Sequence, residues 1–258
     1  MNNMILIIDG QAKDILAADI MELHPQYSFH YFQKQFAYLV EKKEKNKRNF
    51  VIFMDHLNHE LQKRILFSFM KAEDIKNCVA ITPVVSLKNS IGVGDLLLFE
   101  DLVHMDEITT DNGMDRSQEK QPVNKPMFCS YLRRRLIGLM NQENHQLIDE
   151  GTVISFKKFR NETSAEGLLY GNWNIDGMTM DIFSLAGFAK EHLIHMAPIG
   201  IIKRKSVNLE AHSGINDEKE NMYITNFRKA VHLLLRNISL FNDIPVLCNK
   251  LEFREYLL

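Results

Sequence analysis

ITPVVSLKNSIGVGDLLLFEDLVHMDE, residues 81–107, reads as two buried strands joined by an excursion. The first apolar run, 78–82, extends toward Ser86-Leu87-Lys88, and Gly92-Val93-Gly94-Asp95 opens the second at 95–99. Short apolar runs bounded by Gly, Pro or Asp behave as buried strands. The same pattern recurs outward in both directions, at 4–8, 49–54, 152–156 and 194–202. Between these runs, segments 59–72, 128–142, 164–173, 182–192 and 222–241 carry apolar residues at helical spacing with charges on the remaining faces. Strands alternating with helices predict an α/β fold: three α/β/α layers around a mixed, mostly parallel central sheet.

The chain has 258 residues, 45% of them hydrophobic and 25% charged, enough for a sizeable core. The stretch 106–126 is polar, with Gly113, Pro122 and Pro126, and interrupts the alternation without ending it. One domain over 1–258 with a surface-loop insertion at 106–126 is expected. Lys+Arg at 31 against Asp+Glu at 33 leaves a net charge of −2, which removes the general polycation argument for nucleic acid or an anionic membrane. No run of about 18 apolar residues lacks a charge, so no membrane span is expected. The start, MNNMILIIDG, reaches Asp9 too soon for a secretory signal core. Three separated cysteines, Cys78, Cys129 and Cys248, suggest neither a disulfide framework nor a cysteine metal site and fit a reducing cytoplasm.

Two segments carry a resemblance to a known family. In 81–107, a turn followed by Leu87 and, further on, by the pair Gly94-Asp95 opening a strand resembles the nucleoside phosphorylase and nucleosidase superfamily. In 151–192, a strand leads through Phe159 and Asn161 to a helix-like stretch and then to Met180-Asp181 ahead of a helix rich in small residues. Phe159 and Asn161 match that family's base-stacking aromatic and nearby Asn, and Met180-Asp181 matches its Met-Glu pair. The resemblance covers 81–204, and more loosely 4–10 and the C-terminal helix near Asn226. AMP nucleosidase and methylthioadenosine nucleosidase are the branches most similar in appearance, purine nucleoside phosphorylase being more distant.

The resemblance implies an N-glycosidic reaction on a purine nucleoside or nucleotide, with phosphate as the possible co-substrate, no other cofactor, and a homo-oligomeric assembly. Cleaving that bond builds positive charge on the ribose and negative charge on the departing base. The resemblance assigns the ribose hydroxyls to Asp181, the underside of the sugar to Met180 and base stacking to Phe159. It also puts Arg204 where the family has the Asp that protonates the leaving base. A guanidinium stays a donor at neutral pH and is no general acid. Other departures are Thr82-Pro83-Val84-Val85-Ser86 in place of a glycine-rich turn, Asp9-Gly10-Gln11-Ala12 with a single glycine, and Asp55-His56-Leu57 in place of small residues. Asp55, Asp176 and Glu210 are the acids near enough in order to substitute. Lys157, Lys158, Arg160 and Lys203-Arg204-Lys205 offer a basic wall for an anionic ligand. A catalytically inactive nucleoside or nucleotide binder, or an oligomeric scaffold, is the alternative.

Other chemistry has weaker footing. His56 and His59, or His192 and His195, have the three-residue spacing of a metal pair, but no HExxH and no third ligand accompany them, so no metal is expected. Gly92-Val93-Gly94 lacks the third glycine of a dinucleotide loop. Cys129 has no identifiable histidine partner in sequence and reads as a small buried hydrophobe. Arg133-Arg134-Arg135 reads as a solvated helix face.

Overall fold

The apolar runs form the centre of a nine-stranded sheet in a computed structural model that describes residues 2–10, 13–33, 36–41, 47–55, 60–104, 128–142, 147–156, 170–180, 182–206 and 217–244. The elements are β1 (Asn2–Ile8), α1 (Lys13–Leu23), β2 (Tyr27–Gln33), β3 (Phe36–Glu41), β4 (Asn49–Met54), α2 (Glu60–Ala72), β5 (Ile75–Ser86) and β6 (Leu96–His104). After them come α3 (Ser130–Gln142), β7 (Leu147–Phe156), β8 (Gly177–Met180), α4 (Ile182–Glu191), β9 (His195–Lys205), α5 (Asp217–Arg236) and a 3-10 helix (Ile238–Asp243). The expected insertion at 106–126 lies outside the described residues, as does most of the expected helix 164–173.

The sheet order is β2-β3-β4-β1-β5-β8-β7-β6-β9. Strands β4, β1, β5 and β9 run parallel, while β2, β3 and the pairings β5–β8 and β6–β9 are antiparallel. Period-two alternation sends successive residues to opposite faces. Ile5 and Ile7 join the cluster that α1 completes with Leu16 and Ile20, α3 with Leu132 and Leu136, and α5 with Phe227 and Val231. Met4, Leu6 and Ile8 face the other way, onto Leu66 and Met70 of α2 and Leu185 and Ala189 of α4. These are the three layers, and they explain why the parallel strands read as unbroken apolar runs: both faces are covered. Each such large side chain contributes about 1.5–3 kcal/mol when fully buried.

The sheet also closes on itself. β5 pairs with β9 as well as β8, and the path β5–β9–β6–β7–β8 returns to β5, a five-stranded ring fused to the open sheet. Two glycines permit the tight approach: a Cβ on Gly200 would lie 2.4 Å from Val84 Cγ2, and one on Gly177 would lie 2.5 Å from Val84 Cγ1. A third, Gly94, adopts φ +85° in the turn before β6, where its carbonyl accepts a bond from Asn226 Nδ2 of α5 at 3.1 Å.

At the amino-terminal edge of the parallel strands, Asn49, Asn3 and Asn77 stand side by side in register, with His195 next in the row. Asn3 Nδ2 donates to Asn49 Oδ1 at 2.8 Å, and Asn77 Nδ2 donates to Asn3 Oδ1 at 2.8 Å. The 3-10 helix covers this row, Asn242 Oδ1 accepting from Asn3 at 2.9 Å and the Phe241 carbonyl from Asn77 at 2.9 Å. Asn49 in turn donates to the Glu41 carboxylate.

Candidate functional site

A cavity of about 340 Å³ opens at the opposite, carboxyl-terminal edge of the same strands. Its lining comes from Ile8 of β1, Asp55 just after β4, Thr82 to Val85 of β5, Met178 to Met180 of β8, and Lys203 and Arg204 of β9. Parallel strands deliver their carboxyl ends, and the turns that follow them, to one edge, where α/β folds place ligands. The volume suits a small organic molecule.

The floor is polar but internally satisfied. Thr179 Oγ1 donates to the Pro83 carbonyl at 3.0 Å, so its single proton is committed; the 3.0 Å contact between Thr82 and Thr179 is then a bond donated by Thr82. On one wall, Lys203 reaches toward Asp9, with Nζ 3.4 Å from Oδ2 and 5.3 Å from the Tyr223 ring centre. Tyr223, from α5, donates its hydroxyl to the same oxygen at 2.5 Å. Burial, then the charge of Asp9 and the hydrogen bond to it, push the Tyr223 phenol well above its ordinary value, so it stays a donor. Asp9 is only 4% exposed, and the phenol and ammonium together compensate a carboxylate withdrawn from water. Asp55 occupies the other side. Its carboxylate lies against Gly10, where a Cβ would come within 2.9 Å of Oδ1.

Of the residues expected to form the site, Met180 and Arg204 line this cavity, together with the turn residues Thr82 to Val85. Phe159, Asn161 and Asp181 lie outside the described residues, as do Glu210, His56 and His59. Among the substitute acids, Asp55 lines the cavity. Asp176 does not: it forms an ion pair with Lys88 and accepts the Thr152 amide at 2.8 Å, stapling the turn after β5 to β7. Asp95 of the Gly94-Asp95 pair is likewise engaged locally, its Oδ2 accepting the Gly92 amide at 2.6 Å, while burial raises its pKa.

Two expectations outside the site are corrected. Arg133 is 8% exposed rather than solvated, held by Glu150 at 2.6 Å, because the helix turns this one arginine toward β7. Cys129 does have a histidine neighbour, His195 Nδ1 at 3.3 Å, supplied by the start of β9. Tyr223 was not legible as a site residue. Its only signal is a phenol in an apolar helical stripe with Phe227 and Val231, since a buried hydroxyl needs a partner. Among the described residues no group of three or more His, Cys, Asp or Glu is arranged to hold a metal, and no described helix is long and apolar enough to cross a membrane.

Comparison with known proteins bears on the same segments. The family model of the phosphorylase superfamily matches residues 9–235. By structure, the chain is similar to methylthioadenosine phosphorylase from Schistosoma mansoni in complex with adenine, with TM-score 0.69, 16% identity, and 98% and 97% of the two chains covered. It is also similar to purine nucleoside phosphorylase from Toxoplasma gondii in complex with immucillin-H, with TM-score 0.66, 11% identity and coverage of 98% and 92%. A third likeness is to Helicobacter pylori MTAN, with TM-score 0.65, 13% identity and coverage of 92% and 100%. No curated relative matches by sequence.

Proposed function

The chain belongs to the phosphorylase superfamily, and from that premise we propose that it is a phosphorylase- or nucleosidase-like protein acting at the N-glycosidic bond of a purine nucleoside or nucleotide. Arg204 takes the place of the usual acid in this reading. The observation that carries it is the convergence of Met180 and Arg204 on one cavity, lined also by the turn 82–85, at the carboxyl edge of the sheet. Phe159 stacks on the base beside Asn161, Asp181 holds the ribose hydroxyls, and Met180 packs beneath the sugar.

Arg204 stabilises the negative charge on the departing purine as a donor, without giving up a proton. The base then takes its proton from water, and phosphate or water attacks the sugar carbon. No cofactor is invoked. A second reading, a nucleoside or nucleotide binder without turnover, is favoured by one feature: Asp55 is the sole carboxylic acid lining the cavity among the described residues. We also propose a cytoplasmic homo-oligomer. Exposed Ile15, Leu23 and Met222 offer apolar surface for self-association. Sedimentation of the purified chain tests it, a monomer at all concentrations ruling it out.

The test of function is base release from purine nucleosides, AMP and methylthioadenosine, with and without phosphate, followed by chromatography. Release above a buffer control, lost in Asp181→Ala, supports catalysis, and its phosphate dependence separates the two reaction types. No release together with ligand-induced thermal stabilisation supports the binder. In either case Asp181→Ala should weaken nucleoside binding by about 1–3 kcal/mol, and unchanged affinity would remove Asp181 from the site.

A further inference from the structure

We propose that His24 and His232 are a proton-operated clasp between α1 and α5 that regulates the cavity. Neutral, or sharing one added proton, the pair holds the two helices together; doubly protonated, it drives them apart and weakens nucleoside binding. The effect on binding rests on the reading that the cavity holds a purine nucleoside, and it deepens that reading by naming a control on the site.

The clasp follows from hydrogen-bond chemistry. His24 Nε2 and His232 Nδ1 meet at 3.2 Å, with the ring planes 19° apart. A neutral imidazole has one donor and one acceptor nitrogen, so the contact needs an N–H on one side and a lone pair on the other. One added proton is tolerated, because an imidazolium donates to a neutral ring and the bond becomes charge-assisted. A second proton sets two N–H groups and two like charges against one another, and the contact fails. Among the described residues, the surroundings do little to relieve that second charge. Arg228 and Arg236 of α5 are cations, and the anions are Asp19 of α1 and Glu41 of β3. Both anions are engaged, Asp19 by Arg228 and Glu41 by the Asn49 amide. Tyr27 of β2 packs edge-on against His24; burial, then Glu41, hold its phenol above the ordinary value, so it stays neutral. Burial, ahead of the neighbouring charges, lowers the pKa of both rings, so the clasp is closed near neutral pH.

The route to the cavity is the helix pair itself. β1 supplies Ile8 to the lining and leads through Asp9 toward α1, while Tyr223 of α5 donates to Asp9. Further along, Arg228 of α5 grips both carboxylate oxygens of Asp19, with Nη2 at 2.7 Å from Oδ1. His232 meets His24 at the far end, about 14 Å along α5 from Tyr223. Between these contacts the two helices share one packed cluster through Leu16, Ile20, Phe227 and Val231. A close-packed interior transmits a displacement instead of absorbing it. Opening at the histidine end therefore bears on Tyr223 and Asp9 at the cavity end. Linkage fixes the sign: a ligand that binds the closed arrangement is held less tightly as protons open it, and its binding in turn resists protonation.

The experiment is calorimetric titration of the wild-type chain and His232→Gln with adenosine and inosine between about pH 7.5 and 5.0, where histidine is the side chain that ordinarily changes charge. The glutamine amide keeps a donor and an acceptor for His24 but takes up no proton. Wild-type affinity should fall about fivefold or more on acidification, and the His232→Gln profile should stay flat. Equal slopes in the two chains, or no fall in the wild type, overturn the clasp and leave the purine-site reading intact. Failure of both nucleosides to bind at any pH overturns that reading, and amide hydrogen exchange then decides the clasp. Loss of protection in α1 and α5 on acidification, corrected for the intrinsic pH dependence and confined to the wild type, supports it; equal protection in the two chains removes it. Circular dichroism checks folding, and if His232→Gln does not fold, His24→Gln makes the same test from the other helix.

Discussion

The two edges of the parallel strands β4, β1, β5 and β9 are built from the same backbone and differ in almost everything else. At the amino edge, the row Asn49, Asn3, Asn77 is neutral, at most 2% exposed, bonded from strand to strand and covered by the 3-10 helix. At the carboxyl edge, Asp9, Asp55, Lys203 and Arg204 bring charge to a cavity of about 340 Å³. The lesson is a division of labour. Neutral amides bonded from strand to strand can be sealed, even with Asn77 Oδ1 left unpartnered, whereas charges that converge on a cavity are costly to bury and need compensation, as Asp9 finds in Tyr223 and Lys203. Stability is expected to reside at the first edge and selectivity at the second.

Breaking the amino edge should have the largest effect. Asn3→Leu removes the hub of the row: Asn49 Oδ1 and Asn242 Oδ1 lose the donor Asn3 supplies, while Asn49 keeps its bond to Glu41 and Asn77 its bond to the Phe241 carbonyl, so urea denaturation should show a loss of about 3 kcal/mol. A loss below about 1 kcal/mol would mean the row is ornamental and would dissolve the comparison. Next in size is the ring between the edges. Gly200→Ala forces a methyl to within 2.4 Å of Val84 and should cost about 2 kcal/mol, with partial recovery in the double variant carrying Val84→Ala. Additive losses in that cycle would show that the contact is not the cause.

A smaller effect should appear with pH. His24 and His232 stack with centroids 5.4 Å apart beside the amino edge, in contact through Nε2 and Nδ1 at 3.2 Å. Burial lowers the pKa of His24, helped by Arg236 and opposed by Glu41. Burial also lowers His232, with His24, Arg236 and Arg228 adding to the effect and Asp19 opposing it. With both folded-state values below the ordinary 6.5, the unfolded chain binds more protons as pH falls. Stability is complete above that value and declines below it. Replacing both histidines with Phe should flatten the stability profile between about pH 5 and 7, and an unchanged slope would assign the acid sensitivity to other groups. The smallest change in stability should come from the carboxyl edge: Arg204→Gln should cost less than Asn3→Leu or Gly200→Ala while weakening nucleoside binding. A large destabilisation there would make Arg204 structural and erase the contrast.

Much of the fold was legible because the signals were local. The runs 4–8 and 49–54 are unbroken apolar strands, and 59–72 has one apolar stripe, buried at Leu66 and Met70. Helix α1 escaped because Ile15, Met21 and Leu23 are apolar yet exposed while Leu16 and Ile20 are buried, which blurs its periodicity. The hairpin β2–β3 mixes aromatic and polar residues at the sheet edge, and β8 has four residues, too few for a pattern. The C-terminal helix expected at 222–241 begins earlier, at Asp217, where Asp217, Glu218 and Glu220 favour its positive end, and it gives way to a 3-10 turn after Arg236.

The sequence by itself determined the α/β class, the buried strands and the family resemblance, since each depends on residues close together in the chain. Only the tertiary structure decided that the sheet closes into a ring, that Asp176 is a staple while Asp55 faces the cavity, and that Lys203 and Tyr223 share one oxygen of Asp9. Those partners are 194 and 214 residues apart in sequence. Their meeting depends on how β1, β9 and α5 are laid against one another, and that arrangement is set by burial of apolar faces, a force with no preference for which polar tips it brings together.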